Sequence, residues 1–454
     1  MLTYLIPVDE NALDDKFIIY RPLLGLAFVG NRGMADLAKA CSRPDFSVRE
    51  REPHLAKAYH FLESIGFLLP DPPAPAMPDE EFSPTMAVLL LTNQCQLRCR
   101  YCYAVAGEKP PRQMSPDIAQ IAIDYVSNIA LQRNRSHFEV SFHGGGEPTL
   151  VWKTLKEISA YAHSRPVPAK ISLTSNGVWS RELCEWIVNN IEGLTISIDG
   201  APDAQNRLRP FASGKGSFDR VMRSISELDR RSYPYGIRMT AVEPWDELPR
   251  NVEFLCDETG CQAIQVEPTF NTMRGGHGEA SEQDGLNFAK AFIEAWEIAE
   301  RKGRPFFYSG ARPGVQIGTF CSAPFQSLIV TTDGTLVTCY EITDASHPLY
   351  QISKIGQIDG GTKRVIYNGK AHRRLLDMIR ERRDNCKTCF CYWSCAGDCY
   401  ARAFAKEQHL LQGPRCVLNR YLTKQMLLLL IAKHGGVWRK EARLSKFTPD
   451  QGKP

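Results

Sequence analysis

The sequence predicts an α/β protein: a partial (β/α)6 barrel, preceded by a small α+β module and followed by a cysteine-rich domain. Three observations carry this. Six strand-like runs alternate with helical periodicity between residues 85 and 310. A proline-rich stretch cuts off the first 75 or so residues. From about residue 311 cysteines become dense and helix signals short.

The N-terminal element, residues 1–75, opens with FIIYRPLLGLAFV, which fits a strand pair. NRGMADLAKAC and HLAKAYHFLESIGFL follow as helices, the second stopped by Gly66. The stretch LPDPPAPAMPDEEFSP holds six prolines, so residues 76–84 read as linker. The barrel, 85–310, takes its strands from MAVLLLT, FEVSFHG, KISLTSN, LTISID, IRMTAV and AIQVEP. Its helices come from PDIAQIAIDYVSNIAL, TLKEISAYAH, RELCEWIVNNI, FDRVMRSISELDRR and NVEFLCDETG. In such sheets ligands bind at the carboxyl ends of the strands. The cysteine-rich domain spans 311–435 and includes a helix near 415–433 stopped by Gly435 and Gly436. Residues 436–454 read as a polar tail.

The chain has 454 residues and a formal net charge of +4, too little to indicate nucleic acid or a membrane surface. The longest apolar run, MLLLLIA, is far short of a membrane span. Fifteen cysteines, an odd number, ten of them in patterned groups, point to metal or redox chemistry in the cytoplasm rather than to disulfides.

The first group is Cys95, Cys99 and Cys102, spaced C-x3-C-x2-C, with no fourth cysteine nearby. Thiolates suit zinc or iron–sulfur clusters, and structural zinc wants four ligands. A cube held by three cysteines leaves one iron open. Gly144-Gly145-Gly146-Glu147-Pro148 ends the second strand, where glycines allow close backbone approach and a carboxylate can meet an ammonium. Ser175 and Asn176 end the third strand. Arg209, with Arg207 as rival, lies in the loop segment 197–218. His143 precedes the glycines and receives no role.

In this loop the chain resembles the radical S-adenosylmethionine (SAM) enzymes, with Tyr101 at the aromatic position before the third cysteine. The resemblance implies a [4Fe–4S] cluster on Cys95, Cys99 and Cys102, and SAM chelated at the open iron. It implies SAM contacts from Tyr101, Gly145, Gly146, Glu147, Ser175, Asn176 and Arg209. Reductive cleavage would then give a 5′-deoxyadenosyl radical, with flavodoxin or ferredoxin as reductant.

The second system is Cys321, Gly334, Cys339, then Cys386, Cys389, Cys395 and Cys399, then Cys416. It resembles the seven-cysteine SPASM domain of peptide maturases, with Cys391 as an extra. The resemblance implies two auxiliary [4Fe–4S] clusters: one on Cys321, Cys339 and Cys399, the other on Cys386, Cys389, Cys395 and Cys416. A zinc ribbon over 386–399 is the alternative. The first set lacks a fourth cysteine, so its iron is open or takes a ligand from elsewhere, with Cys391, Cys256 and Cys261 as candidates.

The N-terminal module resembles PqqD-type (RRE, winged-helix) elements, which hold leader peptides by strand addition; a plain structural cap is the alternative. Together these imply a radical SAM/SPASM maturase that crosslinks a ribosomally made precursor peptide. One rival is a formylglycine-forming anaerobic sulfatase maturase. In that family an aspartate follows the second SPASM cysteine; here Tyr340 and then Glu341 follow Cys339. Another rival is a non-catalytic iron–sulfur or peptide-binding protein. The basic run KAHRRLLDMIRERR reads as a solvated helix face supported by Asp377 and Glu381.

Overall fold

The structure, a computed structural model, describes residues 1–9, 15–43, 53–78, 81–270, 274–275, 281–404 and 413–440. Strands β1 (Tyr4–Pro7), β2 (Lys16–Arg21) and β3 (Leu26–Asn31) run antiparallel, with the expected pair β2–β3 turning at Gly25, φ 62°. Helix Arg32–Cys41 starts where the Asn31 side chain accepts from the Met34 N–H at 2.9 Å. Helix Pro53–Ser64 ends at Gly66, whose φ of 61° would strain any other residue. Phe28, Ala35, Leu62 and Phe67 give these elements a core of their own. Arg21 is fully buried and reaches the Leu69 carbonyl at 2.8 Å and Asp71 at 2.5 Å, which anchors the start of the linker.

All six expected barrel strands form. They are β4 (Met86–Leu89), β5 (Phe138–Phe142), β6 (Ala169–Ser175), β7 (Gly193–Ser197), β8 (Gly236–Ala241) and β9 (Ile264–Pro268), parallel and in sequence order. A further parallel strand, β10 (Phe306–Tyr308), joins β9. It follows helix Glu282–Arg301, which a Ser281–Asp284 capping box starts. Ile237, Met239 and Ala241 of β8 pack under the outer helices, while Arg238 and Thr240 alternate onto the other face. Each strand thus has one apolar outer side and delivers polar groups at its carboxyl end.

The sheet does not stop where the cysteine-rich region starts. Strand β11 (Ser327–Val330) lies parallel beside β4, and β12 (Thr335–Val337), β13 (Lys354–Asp359) and β14 (Arg364–Tyr367) extend it antiparallel. The result is one 11-stranded sheet ordered β10-β9-β8-β7-β6-β5-β4-β11-β12-β13-β14. The hairpin expected at TTDGT turns on Gly334, φ 82°. The Cys321–Cys339 segment is therefore fixed by hydrogen bonds to the first barrel strand.

Helix Pro414–Lys433 forms as expected and packs on helix Glu282–Arg301, where Gly285 lies against Leu418. The polar-tail expectation is corrected at its beginning. Residues 437–439 form β15 (Val437–Arg439), antiparallel to β3, and Trp438 is 4% exposed in a core with Ile18, Tyr20 and Leu427. Strand β15 thus occupies the β3 edge of the N-terminal sheet. Residues 441–454 lie outside the described residues. No described helix is long and apolar enough to cross a membrane.

Candidate active site: three cysteine groups

Cys95, Cys99 and Cys102 stand in the loop after β4. Two arginines clamp its backbone: Arg98 donates to the carbonyls of Cys95 (2.7 Å) and Gly107 (2.7 Å), and Arg274 to that of Cys99 (2.7 Å). Burial pushes the Cys95 thiol up to about 12, helped by Glu147, Cys99 and Cys102. Cys99 is pushed up to about 11 by burial, against the pull of Arg209. The sulfurs therefore lie within electrostatic reach of one another. As bare thiols, Cys95 and Cys99 stay protonated at neutral pH; a metal is what would ionise them.

The glycine segment lies directly on this loop. Gly146 N–H donates to the Thr92 carbonyl at 2.7 Å and Glu147 N–H to that of Gln94 at 2.8 Å. A Cβ on Gly146 would fall 2.1 Å from the Gln94 oxygen, so only glycine fits. Gly144 and Gly145 have φ of 89° and 71°.

The side chain of Glu147 is 3% exposed and engaged by the protein. It accepts from Thr149 Oγ1 (2.6 Å), Thr149 N (3.2 Å), Ser175 Oγ (2.8 Å) and Asn176 N (2.8 Å). Burial raises its carboxyl, and these four donors oppose the rise. These contacts brace the ends of β5 and β6. Ser175 donates to Glu147 at 2.8 Å and accepts from the Gly177 N–H at 3.1 Å. Asn176 turns its Nδ2 to the Cys95 sulfur at 3.6 Å.

Tyr101 and Arg209 converge on a residue that the sequence reading missed, Asp199. The Tyr101 hydroxyl donates to Asp199, and Arg209 Nε donates to the same oxygen at 2.8 Å. The guanidinium lies 5.3 Å from the Tyr101 ring centre, and its charge pulls on Cys99. Arg207 points elsewhere and pairs with Glu247. Arg209, not Arg207, is therefore the arginine beside the triplet.

Cys321, Cys339 and Cys399 gather with Tyr340 and Tyr400 around the β11–β12 hairpin. Burial and Glu341 raise all three thiols; on Cys399 the pull of Arg402 comes between. Backbone N–H groups of Ala323, Glu341 and Arg402 point at the three sulfurs. Leu97 N–H does the same for Cys95 at 3.4 Å. Such N–H donors suit sulfurs that carry negative charge.

Cys386, Cys389, Cys395 and Cys416 form the third group, each within reach of others in the set. Cys391 belongs here too. The neighbouring Cys391 thiol holds Cys389 down to about 6, and burial raises Cys391 itself. Cys391 is thus no candidate for the first auxiliary set. Cys256 and Cys261 neighbour each other and Arg304, away from both sets, and drop out as well. Asn419 donates to the Cys395 sulfur at 3.5 Å.

Among the described residues no three His, Cys, Asp or Glu side chains close on one point as ligands of a single ion do. The fit to larger clusters rests on the donor sets: grouped thiols, N–H donors on the sulfurs, and no competing disulfides among the described cysteines.

Between the triplet and the first auxiliary set lies a polar lining. Tyr103 feels both Cys102 and Cys339. His143 stacks edge-on against Tyr340 at 4.5 Å, and burial lowers its pKa to about 4. Arg402 stands between Glu267 (3.6 Å) and Glu341 (3.9 Å). The basic run forms helix Gly369–Asp384, whose Arg383 is buried under Tyr392 and Trp393 rather than solvated.

Residues 89–255 match the model of the Radical SAM superfamily. The chain is 28% identical over 207 residues to the sporulation killing factor maturation protein SkfB of Bacillus subtilis, covering 44% of this chain and 46% of that protein. The chain thus spans under half of SkfB. It is 23% identical to the cysteine-type anaerobic sulfatase-maturating enzyme of Clostridium novyi, over 69% of this chain and 87% of that one. The fold superposes on anSMEcpe solved with bound AdoMet and the Cp18Cys peptide, at TM-score 0.60 and 16% identity, over 78% of this chain and 99% of that one.

Proposed function

We propose that this chain, which carries a radical SAM domain, is a maturase of a ribosomally made peptide, forming a carbon–sulfur or carbon–carbon crosslink. The observation that carries the reading is the two groups of three thiols, Cys95/Cys99/Cys102 and Cys321/Cys339/Cys399, whose neighbours Tyr103 and Tyr340 both lie against Gly144.

Cys95, Cys99 and Cys102 hold the [4Fe–4S] cluster that binds SAM; Cys321, Cys339 and Cys399 hold one auxiliary cluster, and Cys386, Cys389, Cys395 and Cys416 the other. Bound there, these groups supply a 5′-deoxyadenosyl radical and nearby sites for an electron. The protein's own part is positioning. Gly145 and Gly146 let backbone close over the cysteine loop, Glu147 fixes the ends of β5 and β6, and Asp199 orders Tyr101 and Arg209. His143 stays neutral at pH 7 beside Tyr340. Residues 1–75 hold the leader, by strand addition to an outer strand of the sheet β1-β2-β3-β15. Because β15 already covers β3, the available edges are those of β1 and β15. A flavodoxin or ferredoxin in the cytoplasm delivers the reducing electron.

Formylglycine formation on a sulfatase has equal support from the relatives, given the long match to the Clostridium novyi enzyme. Against it stands Tyr340 directly after Cys339. Reconstituted, reduced protein with SAM distinguishes the readings by mass spectrometry. A precursor peptide encoded beside the gene should lose two hydrogens on crosslinking. Conversion instead of a cysteine or serine in a sulfatase peptide to an aldehyde would favour the rival. Absence of 5′-deoxyadenosine would leave only a non-catalytic protein.

A further inference from the structure

Cys391 is an extra thiol, two residues after Cys389 and four before Cys395. Spacing alone does not say how it differs from its neighbours, but one residue treats them differently. Asn419, 1% exposed on helix Pro414–Lys433, donates from Nδ2 to the Cys395 sulfur at 3.5 Å. The backbone carbonyl of the same residue accepts from the Cys391 S–H at 3.7 Å. Cys395 is thus met as an acceptor and Cys391 as a donor.

The carboxamide is held in this orientation. Its Oδ1 accepts from the Tyr308 hydroxyl at 3.0 Å, a buried contact across 111 residues. Tyr308 ends β10 and is fully buried. Gly310 closes a further side: a Cβ there would fall 2.4 Å from the Asn419 oxygen and 2.6 Å from the Tyr308 oxygen. With the oxygen committed to the phenol, the NH2 end faces sulfur.

A neutral thiol sulfur is a weak acceptor, so a buried amide gains little from it. Against a sulfur that carries negative charge the same N–H makes a charge-assisted bond. Hydrogen bonds to cluster sulfurs are among the factors that set the potential of an iron–sulfur cluster. A donor stabilises the more negative, reduced state more than the oxidised one, and so raises the midpoint potential. Asn176 repeats the arrangement at the triplet. Its Nδ2 lies 3.6 Å from the Cys95 sulfur, and its Oδ1 accepts from the Val178 N–H at 3.0 Å.

We infer that Asn419 is a positioning residue of the second auxiliary cluster: held by Tyr308, its amide donates to the Cys395 sulfur and raises that cluster's midpoint potential, while Cys391 stays outside the ligand set. The inference rests on the auxiliary-cluster reading above. It ties the potential to Tyr308, a residue of the barrel sheet.

The test uses full-length protein with Cys95, Cys99 and Cys102 replaced by Ala, so that only auxiliary clusters contribute. Iron content, EPR spectra and redox titrations are compared for this background alone and with Asn419→Leu, Asn419→Ala, Tyr308→Phe or Cys391→Ala. The expected result is a lowered midpoint potential for one cluster in the Leu and Ala forms, with the other cluster unmoved. Tyr308→Phe should lower the same potential by less, and Cys391→Ala should keep full iron. Potentials that coincide at equal iron would overturn the inference, and so would loss of iron in the Cys391→Ala form. Where the Asn419 variants load poorly, Tyr308→Phe, which removes a single hydroxyl, decides by the same criterion. Replacing Cys386, Cys389, Cys395 and Cys416 together should remove one cluster's iron. Unchanged iron there would instead sink the auxiliary-cluster reading, and the Asn419 assignment with it.

Discussion

Two groups of three cysteines each stop one short of four, and their surroundings differ. Around Cys95, Cys99 and Cys102 the described acids Glu147 and Asp199 are both engaged: Glu147 by Thr149, Ser175 and Asn176, and Asp199 by Tyr101, Arg209 and the Thr240 N–H at 3.0 Å. Beside Cys339, Glu341 pairs with Arg402 at 3.9 Å and accepts no hydrogen bond among the described residues. The thiol count is the same, yet the acids beside one group are held by hydrogen bonds and the acid beside the other by an ion pair. Cysteine spacing gives the number of thiols; how the neighbouring polar groups are satisfied emerges only on folding.

The largest expected effect separates the groups by function. Replacing Cys95, Cys99 and Cys102 with Ala should reduce 5′-deoxyadenosine production to background by liquid chromatography and mass spectrometry. Replacing Cys339 and Cys399 should abolish peptide product while SAM cleavage persists. Equal loss of SAM cleavage in both would erase the distinction.

The ion pair comes next. Arg209→Met strands Asp199, whose side chain is fully buried. Removal of one partner from a buried pair should cost about 3–5 kcal/mol in denaturant unfolding. A loss under about 1 kcal/mol would mean the pair is solvated.

Glu147→Ala leaves the donors of Thr149, Ser175 and Asn176 without an acceptor. Loss of about 3 kcal/mol is expected. Weaker SAM binding should accompany it in calorimetry, because the ends of β5 and β6 lose their brace. Unchanged stability with weakened SAM binding would instead favour direct contact between Glu147 and SAM.

The smallest effect is a pH slope. His143 has its pKa depressed from 6.5 to about 4 by burial. The unfolded chain therefore binds the proton first as pH falls, and stability drops below pH 6.5. Between pH 7 and 5 this contributes about 2 kcal/mol of lost stability, which His143→Phe should remove. An equally steep slope in the variant's thermal melts would put the imidazole in solvent.

Much of this was legible in the sequence because it is local. The six barrel strands carry their own apolar alternation, and the triplet and the seven-cysteine pattern are fixed spacings. The glycines at 145 and 146 were legible as close-approach positions. Partners that meet only after folding were not legible. Asp199 joins Tyr101 across 98 residues, and Ser175 meets Glu147 across 28. Nothing in GGGEP shows that its glutamate meets Thr149, Ser175 and Asn176. Strand β15 escaped because three residues after two glycines carry no periodicity; its pairing with β3 is set by Trp438 burying against the N-terminal sheet. Helix Glu282–Arg301 and β10 escaped the element reading although their patterns are ordinary. Cys391 sits two residues from a ligand position, and only packing shows which group it joins.

The most direct measurement is EPR of anaerobically reconstituted, reduced protein before and after SAM is added. The account predicts a cluster signal that shifts on addition and disappears when Cys95, Cys99 and Cys102 are Ala. A signal that SAM leaves untouched, or a cysteine loop that loads zinc without sulfide, would contradict it.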